Sequence, residues 1–381
     1  MKSNAVIVGA GISGVAIAYN LALRGMTDVV VVEKGYLTAG STGRCGAGVR
    51  QQWQTRANCV MARKSIEFFE RAAETLGYEG DVEFKQEGYL ILACTDAEVE
   101  QFRKNVVLQN ELGIPARVVS REEALRIVPH LNPESFLSAT FCPTDGHLNP
   151  FKMTDAYYVA GKKLGVTYLF GETVERIVVE DGKIRAVITD KRTIETDTVV
   201  DAAGGFAREV GTLAGVRIPV HAERHEILVT EPVERMQGPM VMSFSQNLYC
   251  QQVPHGAFLM GRTTPDEPEG HDDTSSWKFL DEMAKTVCRF LPKVGELRAI
   301  RQWAGSYCMS PDRQPILGPT DQLAGFFLAC GFSGHGFMFA PMTGVVVAEM
   351  ILGLPTTLPV DDLLIDRFKK ETATAYEKSV V

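Results

Sequence analysis

The sequence predicts a mixed α/β fold with two domains, one with a Rossmann-like nucleotide-binding core and one with a mostly antiparallel sheet. Residues 4–32 read as strand, apolar helix and strand, with a GxGxxG motif at the first turn. Residues 216–310 contain several short strand-like pieces around one helical stretch. An α/β pattern returns after residue 311, which indicates that the two domains alternate along the chain.

Length and composition are those of an ordinary globular protein. The chain has 381 residues, 45% of them hydrophobic, enough for two sizeable cores. Its 39 Lys and Arg against 47 Asp and Glu give a net charge of −8, and no basic run suggests nucleic-acid binding. The eight cysteines include no CxxC pair, so no metal site is expected. Neither a signal peptide nor a transmembrane segment is recognised, so we expect a cytoplasmic protein.

Hydrophobic periodicity and turn residues predict the remaining elements. A Ser120/Glu123 capping box announces one helix, and Asp181-Gly182 is typical of a hairpin turn. The other predicted helices are 12–23, 57–76, 150–164, 277–291 and 341–352. The predicted strands are 4–8, 28–32, 87–93, 166–170, 174–180 and 183–189, with strand-like pieces at 225–232, 247–253 and 256–263. Residues 198–207 are predicted as a buried strand that runs into paired glycines.

The GxGxxG motif is GAGISG, residues 9–14, and Glu33 ends the next predicted strand. Glycines at this turn let the backbone approach a pyrophosphate at the helix N-terminus, and Glu33 can accept hydrogen bonds from a ribose. A carboxylate at this position repels a 2′-phosphate. The motif therefore predicts a dinucleotide, with FAD and NAD as the alternatives.

Two further glycine-rich stretches lie far from this motif. STGRCGAGVRQQ, residues 41–52, combines three glycines with two arginines. GFSGHGF, residues 331–337, precedes an apolar helix, and its N–H groups could stabilise negative charge on a flavin ring. Because His335 lies between two glycines, we expect it beside such a ring and not deep in a helix core.

GAGISG with Glu33-Lys34, the Ser41-Thr42 pair, AAGGFA and GFSGHGF together resemble the D-amino-acid oxidase superfamily of flavoproteins, over nearly the whole chain. STGRCGAGVRQQ, PTDGHLNPF and GFSGHGFMFAP are similar to the β subunits of heteromeric L-proline dehydrogenases and sarcosine oxidases. The resemblance implies an FAD-binding domain of GR2 type and a substrate domain above the flavin. The expected FAD domain comprises residues 1–85, 140–215 and 311–381, and the substrate domain residues 86–139 and 216–310.

The resemblance also implies which residues contact a tightly bound, noncovalent FAD. They hold the pyrophosphate, ribose, adenine and flavin in turn. They are Gly9, Gly11, Ile12, Ser13, Gly14, Glu33, Lys34, Ser41, Thr42, Arg44, Cys45, Gly46, Gly48, Val174, Ala203, Gly204, Gly331, Ser333, Gly334, His335, Gly336 and Met338.

Four residues are expected at the catalytic centre: Arg50, His335, Tyr249 and His225. The resemblance gives Arg50 the role of clamping the substrate carboxylate, because an unpaired buried carboxylate costs several kcal/mol and a bidentate pair recovers much of that. The alternative for Arg50 is a surface ion pair. Tyr249 and His225 are expected to form pocket walls, and the alternative for Tyr249 is a half-buried strand aromatic.

The sequence departs from the family pattern at several positions. Met338 and Leu259 stand where related oxidases carry lysines, and losing a positive charge beside the flavin should slow its reaction with oxygen. A cysteine link to FAD is not expected, because the matching position falls on Gly305, with Cys308 three residues further on. The position matching a histidine-linked FMN is Pro150 and not His147, so covalent FMN is not expected.

We therefore expect an FAD-dependent dehydrogenase that takes a hydride from the α-carbon of a secondary or cyclic amino acid such as L-proline or sarcosine. The chain would be the catalytic β subunit of a heteromeric complex. Electrons would pass to a partner subunit carrying NAD, FMN or an iron–sulfur centre, and noncovalent FMN at a subunit interface stays open. The alternatives are a stand-alone glycine, D-amino-acid or sarcosine oxidase producing hydrogen peroxide, a noncatalytic FAD-binding subunit, and an NAD-dependent enzyme.

Overall fold

A computed structural model of the chain describes residues 1–369 and 376–379. The strands are β1 Ala5–Val8, β2 Val29–Glu33, β3 Gly48–Val49, β4 Tyr89–Ala93, β5 Arg117–Val119, β6 Ser138–Cys142, β7 Gly146–His147, β8 Thr167–Phe170, β9 Val174–Glu180, β10 Lys183–Thr189, β11 Thr193–Glu195, β12 Val199–Asp201, β13 His221–Thr230, β14 Met240–Ser243, β15 Leu248–Gln252, β16 Phe258–Arg262, β17 Ala299–Met309, β18 Ile316–Pro319 and β19 Phe326–Cys330. The α-helices are α1 Ile12–Leu23, α2 Arg56–Phe69, α3 Ala72–Leu76, α4 Asp96–Glu111, α5 Arg121–Ile127, α6 Pro150–Lys163, α7 Ala207–Leu213, α8 Trp277–Phe290, α9 Pro292–Gly295 and α10 Gly336–Ile351. Short 3₁₀ turns span Ser41–Arg44, Gly204–Phe206, Asp361–Leu363 and Ile365–Lys369.

A six-stranded sheet, in the order β18-β19-β12-β1-β2-β8, forms the core of the first domain. Its pairs are parallel except β18 with β19. The side chains of β1 alternate between two separate hydrophobic clusters: Ala5 and Ile7 face the cluster containing α1 and α10, while Val6 and Val8 face the other. Burial on both faces explains why β1 and β2 are continuous apolar runs.

An eight-stranded sheet, in the order β17-β13-β16-β15-β14-β4-β6-β5, forms the second domain. All of its pairs are antiparallel except β14 with β4. One face packs on α8 through Phe279 and Met283, and the other face carries Tyr89 and Tyr249. The predicted two-domain α/β fold with a mostly antiparallel second sheet is confirmed. The domain boundaries remain a prediction.

Several local predictions need correction. The helix predicted at 57–76 is two helices, because Arg71 leaves the helical conformation at φ −124° and ψ 17°. The predicted capping box is only half formed: the Ser120 side chain accepts from the Glu123 N–H, but the Glu123 carboxylate pairs with Arg117. The helix predicted to begin at Pro341 begins at Gly336. Pro341 is buried inside α10, where packing outweighs one missing N–H group.

The hairpin turn at Asp181-Gly182 is confirmed. Both residues have positive φ, 51° and 69°, and Glu180 pairs with Lys183 across the turn. Separately, the helices within residues 1–369 and 376–379 include none with both the length and the apolar character needed to cross a bilayer.

Candidate active site

The turn between β1 and α1 is built from backbone packed too closely for side chains. Gly9 has φ +109°, and a Cβ added there would lie 2.5 Å from the carbonyl oxygen of Ala202. A Cβ added at Gly14 would lie 2.0 Å from the carbonyl oxygen of Gly9. The turn therefore lets a ligand approach the backbone at the N-terminus of α1, which Gly11 caps without a side chain and Ile12 and Ser13 open.

Glu33 holds this turn against the end of β2. Its carboxylate accepts hydrogen bonds from the backbone N–H of Ala10 at 2.9 Å and of Gly35 at 2.7 Å. Each carboxylate oxygen has a further lone pair, which a ribose hydroxyl can use. Thr42 reaches the same place from the 41–44 turn, accepting from the N–H of Ile12 at 3.1 Å. The first two glycine-rich stretches thus meet at one helix end.

Lys34, Ala203 and Gly204 follow strands β2 and β12 of the parallel sheet, whereas Val174 lies in a separate three-stranded sheet. The Lys34 ammonium lies 3.1 Å from the ring centroid of Phe206, in the turn after β12. Ala203 donates its N–H to the buried carboxylate of Asp201 at 3.1 Å, and burial raises the pKa of that carboxyl well above its usual range. Gly204, with φ +59°, faces open space, and Val174 begins β9.

The stretch 44–46 connects this edge to the antiparallel sheet. Arg44 donates to the carbonyl oxygen of Ala304 at 2.9 Å, and the indole N–H of Trp303 donates to the carbonyl oxygen of Arg44 at 2.9 Å. The Gln251 amide donates to the carbonyl oxygen of Gly46 at 2.7 Å. The loop is therefore fixed by strands β15 and β17, both distant in sequence.

Ser41 and Cys45 frame this loop. The Ser41 hydroxyl donates to the carbonyl oxygen of Ser306 at 2.5 Å. The Cys45 thiol donates to the carbonyl oxygen of Thr42 at 3.1 Å, and burial raises its pKa to about 11. The thiol is therefore protonated at neutral pH.

Three rings on neighbouring strands form a wall above the loop. The ring centroids of His225 and Tyr307 are 4.2 Å apart with planes 7° apart, and those of His225 and Tyr249 are 6.0 Å apart. His225 pairs with Gly305, so Tyr307, two residues further along β17, is its diagonal neighbour on the same face. Gly261 lies opposite Tyr249, and a Cβ there would lie 2.2 Å from the Tyr249 hydroxyl. The missing side chain lets the Tyr249 ring lie across the sheet.

The polar atoms of this wall are neutral and free of protein partners within the described chain. Burial lowers the pKa of His225 to about 3, and its Nε2 has no hydrogen-bond partner among the described residues. Burial raises the pKa of Tyr249 and of Tyr307. Their hydroxyls make no hydrogen bond to residues 1–369 or 376–379. Such groups are available to a ligand.

The 331–336 loop bounds the candidate site next to Tyr307. Gly334 has φ +95°, and a Cβ there would lie 2.5 Å from the Tyr307 ring. Ser333, at φ 48°, donates its N–H to the carbonyl oxygen of Cys308 at 2.8 Å, and Gly331 donates its N–H to the Cys308 sulfur at 3.2 Å. The loop is therefore docked on β17 and leads directly into α10, which Gly336 opens.

His335, at the N-cap of α10, is more deeply buried than its glycine neighbours suggested, with 2% exposure. Its ring lies 4.8 Å from that of Trp53 and 5.0 Å from that of Phe339. Burial, together with the charge of Arg50, lowers its pKa to about 3. Within the described chain neither ring nitrogen has a hydrogen-bond partner, so the neutral imidazole has both polar atoms available.

Arg50 lies in the same interior cluster. Its guanidinium stacks 3.5 Å from the Trp53 ring centroid, and the side chain is 3% exposed, so the alternative of a surface ion pair is wrong. It donates to the carbonyl oxygen of Gln52 at 2.8 Å and to that of Ser379. Burial lowers the pKa of Arg50, and the nearby carboxyl of Glu377 opposes that shift.

Two groups in this cluster were missed by sequence reasoning. Asp145 is fully buried and accepts hydrogen bonds from the Gln51 N–H at 2.8 Å and the Gln52 amide at 2.9 Å. These two glutamines directly follow Arg50 in the chain. Burial raises the pKa of Asp145 to about 6. Tyr89 sends its hydroxyl to Gly48, where an added Cβ would lie 1.9 Å from it. The PTDGHLNPF stretch contained the signal for Asp145, whereas no local pattern marked Tyr89.

The two positions without the expected lysines lie differently. Leu259 faces the loop, since a Cβ on Gly46 would lie 3.0 Å from its side chain. Met338 is in α10, half-buried against the hydrophobic cluster of the parallel sheet. Of these two residues, only Leu259 lies above the 44–46 loop.

A cavity of about 590 Å³ opens beside the loop. Its lining includes two arginines, two histidines and one glutamate, together with several aromatic side chains. They include Arg44, Arg301, His147, Tyr36, Phe151 and Trp303. Burial lowers the pKa of His147 to about 4, and its Nε2 has no partner within the described chain.

The arrangement fits an FAD molecule. The 9–14 turn offers backbone to a pyrophosphate, and a Cβ at either Gly9 or Gly14 would collide with backbone. Between the 44–46 loop, the ring wall and the 331–336 loop lie partnerless polar atoms of His225 and His335. Buried polar atoms without protein partners can form hydrogen bonds with a ligand.

Comparison with known sequences and structures agrees with this geometry. The sequence model described as "FAD dependent oxidoreductase" matches residues 4–350. The sarcosine oxidase subunit beta of Rhodobacter capsulatus is 27% identical over 355 residues, covering 92% of this chain and 85% of that protein. The mitochondrial dimethylglycine dehydrogenase of Rattus norvegicus is 28% identical over 400 residues, but this chain spans only 46% of its length.

A similar solved structure is that of L-proline dehydrogenase from P. horikoshii. It superimposes with a TM-score of 0.92 and 38% sequence identity, covering 97% of this chain and 98% of that one. The similarity therefore extends through both sheets.

Proposed function

We propose that this chain, which belongs to the family of FAD-dependent oxidoreductases, is an amino-acid dehydrogenase and the catalytic subunit of a heteromeric complex. The proposed substrate is a secondary or cyclic amino acid such as L-proline or sarcosine. Similarity to an L-proline dehydrogenase and to a sarcosine oxidase subunit supports this substrate class. The chemistry that FAD supplies when bound is acceptance of a hydride from the carbon next to the amine.

The observation that carries the proposal is the buried guanidinium of Arg50 in one cluster with His335. A fixed, buried cation attracts an anionic substrate group strongly, because little water screens it. The Trp53 ring fixes the plane of the guanidinium. Its orientation is therefore set before a substrate arrives, which reduces the entropy lost on binding.

The ring wall supports substrate orientation and not proton transfer. With pKa values of about 3, the imidazoles of His225 and His335 are uncharged near neutral pH, so neither can act as a general acid. The phenol of Tyr249 stays protonated and can donate one hydrogen bond. A substrate amine that binds in its neutral form needs only placement of its α-carbon, and these groups provide a wall for it.

Leu259 favours a dehydrogenase over an oxidase. It lies above Gly46 where a lysine would add positive charge beside the flavin. Without that charge the superoxide formed with oxygen is less stabilised. Met338 is likewise uncharged, so the electrons are proposed to leave through a partner subunit.

Anaerobic titration of the purified holoprotein tests the proposal. L-proline or sarcosine should bleach the visible flavin absorbance, while consumption of oxygen by the isolated chain stays slow. Rapid oxygen consumption with substrate would instead identify a stand-alone oxidase. No bleaching with these amino acids, with D-amino acids or with opines would leave a noncatalytic FAD-binding subunit.

The Arg50→Ala variant tests the carboxylate clamp. KM for the amino acid should rise by about 100-fold, since a buried charged pair is lost, while FAD stays bound. Arg71→Ala, on the surface and paired with Glu74, is the matched control. Unchanged KM in the Arg50 variant would refute the clamp.

We further propose that the cavity beside the 44–46 loop holds FMN, covered by the partner subunit. Arg301 suits a phosphate and Trp303 suits a flat ring, while the Arg44 guanidinium is already paired with Asp273 at 2.9 Å. Tyr36 and Phe151 at the cavity are 68% and 55% exposed, which favours a covering protein surface.

Flavin analysis of the native complex tests this second proposal. We expect FMN and FAD in equal amounts, and an Arg301→Ala complex should keep FAD but lose FMN. A complex with intact subunits and FAD alone would contradict it.

A further inference from the structure

We infer that the carboxyl-terminal segment, residues 376–379, completes the substrate site, and that Glu377 is a positioning residue for Arg50. The inference rests on the proposed role of Arg50 as the carboxylate clamp. The segment lies more than 300 residues from Arg50 in sequence, yet the Arg50 guanidinium donates to the carbonyl oxygen of Ser379.

Glu377 is the residue that fixes the segment in place. Its carboxylate is fully buried and accepts from the Asn58 amide at 2.9 Å and from the Thr55 hydroxyl at 3.2 Å. Both donors lie at the start of α2, which follows Arg50 directly in the chain. The segment is therefore tied to the same piece of chain that carries the clamp.

The other carboxylate oxygen of Glu377 shapes the backbone that Arg50 contacts. It accepts the N–H of Ser379 at 2.9 Å, which fixes the peptide unit between Lys378 and Ser379, next to the Ser379 carbonyl. At the start of the segment, the N–H of Glu377 donates to the carbonyl oxygen of Asp312 at 3.1 Å. Asp312 is itself paired with the buried Arg367 at 2.7 Å. The segment is held at both ends.

This arrangement has an electrostatic consequence for the clamp. A buried guanidinium without a counter-charge is costly, and Glu377 supplies negative charge close to Arg50 without bonding to it directly. The direct contact is a neutral carbonyl, which leaves the net positive charge of Arg50 for a substrate carboxylate. Glu377 thus keeps Arg50 in place while leaving the guanidinium able to bind an anion.

Spectral titration of the FAD-loaded protein with pyrrole-2-carboxylate, a carboxylate that cannot be dehydrogenated, measures the clamp without turnover. Glu377→Gln should raise its dissociation constant by about tenfold, because the charge and one acceptor are lost. Asn58→Asp, which sets two carboxylates against each other, should do the same. The double variant N58D/E377Q exchanges carboxylate and carboxamide across the same contact, and should return to within about threefold of the wild-type constant.

Two controls separate positioning from general damage. Lys378→Gln alters an exposed neighbour in the same segment and should change nothing. Pyrrolidine, which has no carboxylate, should bind the Glu377→Gln protein as it binds the wild type. Equal weakening of pyrrolidine and pyrrole-2-carboxylate, or no recovery in the double variant, would overturn the inference.

The outcome is distinguishable from failure of the proposed function. If Arg50→Lys leaves the affinity for pyrrole-2-carboxylate unchanged, the clamp itself is wrong. If Arg50→Lys weakens binding and Glu377→Gln does not, the clamp stands and only the role of Glu377 fails.

Discussion

The nucleotide end and the substrate end of this molecule are built in opposite ways. At the nucleotide end, the binding surface is formed by backbone: Gly9 and Gly14 lack side chains because neighbouring carbonyls occupy that space. At the substrate end, the surface is formed by side chains from separate strands: His225, Tyr249 and Tyr307 meet only because of the register of the sheet. The first is determined by a few adjacent residues, and the second by pairing across the whole antiparallel sheet.

The largest effect is expected from adding one methyl group at the nucleotide end. Gly14→Ala should weaken FAD binding by at least about 100-fold, because the new Cβ would lie 2.0 Å from backbone oxygen and the turn must shift. The ratio of flavin to protein absorbance after purification measures this. Gly238→Ala is the control, since its nearest neighbour would be 3.9 Å away. A fully yellow Gly14→Ala protein would show that the turn is not the cradle.

His225 in the ring wall should make the stability of the folded protein sensitive to acid. The pKa of His225 is lowered to about 3, so its contribution to stability is present above the ordinary histidine pKa and is lost as pH falls below it. Between about pH 7 and pH 5 the wild type should lose about 2 kcal/mol more stability than His225→Gln. Urea unfolding followed by intrinsic fluorescence at the two pH values measures the difference. Equal losses in both proteins would mean that His225 is protonated in the folded state.

A charge introduced at the wall should change reactivity and not folding. Leu259→Lys should speed reoxidation of the substrate-reduced protein by oxygen about tenfold, because the ammonium would lie above the 44–46 loop. Stopped-flow mixing with oxygenated buffer measures the rate. Leu259→Met keeps the length without the charge and should behave as the wild type. If both variants react alike, charge at this position does not control oxygen reactivity.

The smallest effect is expected from one hydroxyl. Tyr249→Phe should raise KM for the amino acid about fivefold, the loss of roughly one hydrogen bond. Its melting temperature should stay close to the wild-type value, since that hydroxyl makes no hydrogen bond within the described chain. Steady-state kinetics and thermal unfolding together check this. Tyr158→Phe, on α6 beside Tyr168, serves as the comparison. A marked drop in stability would assign Tyr249 a structural role.

The same contrast explains what could be predicted from the sequence. The 9–14 turn and Glu33 were predictable because strand, turn, helix and acidic residue follow one another within about 30 residues. Tyr307 was not predictable, since nothing near it in sequence indicates that β17 pairs with β13 in the register that places it beside His225.

The deeper cluster shows the same limit. Arg50 was expected from the family resemblance, but its partners come from places that no local pattern connects. Asp145 lies in the turn between β6 and β7, and Glu377 lies in the carboxyl-terminal segment, yet both are close to Arg50. Contacts of such sequence separation depend on the completed fold.

The 44–46 loop, finally, is proposed to contact FAD and also lines the cavity proposed for FMN. All three of its residues, Arg44, Cys45 and Gly46, line that cavity. A redox group in the cavity would exchange electrons with FAD by tunnelling through this loop, with no carrier moving between them. Its hydrogen bonds to β15 and β17 would then do more than hold a shape, because they would keep the tunnelling distance constant from one turnover to the next.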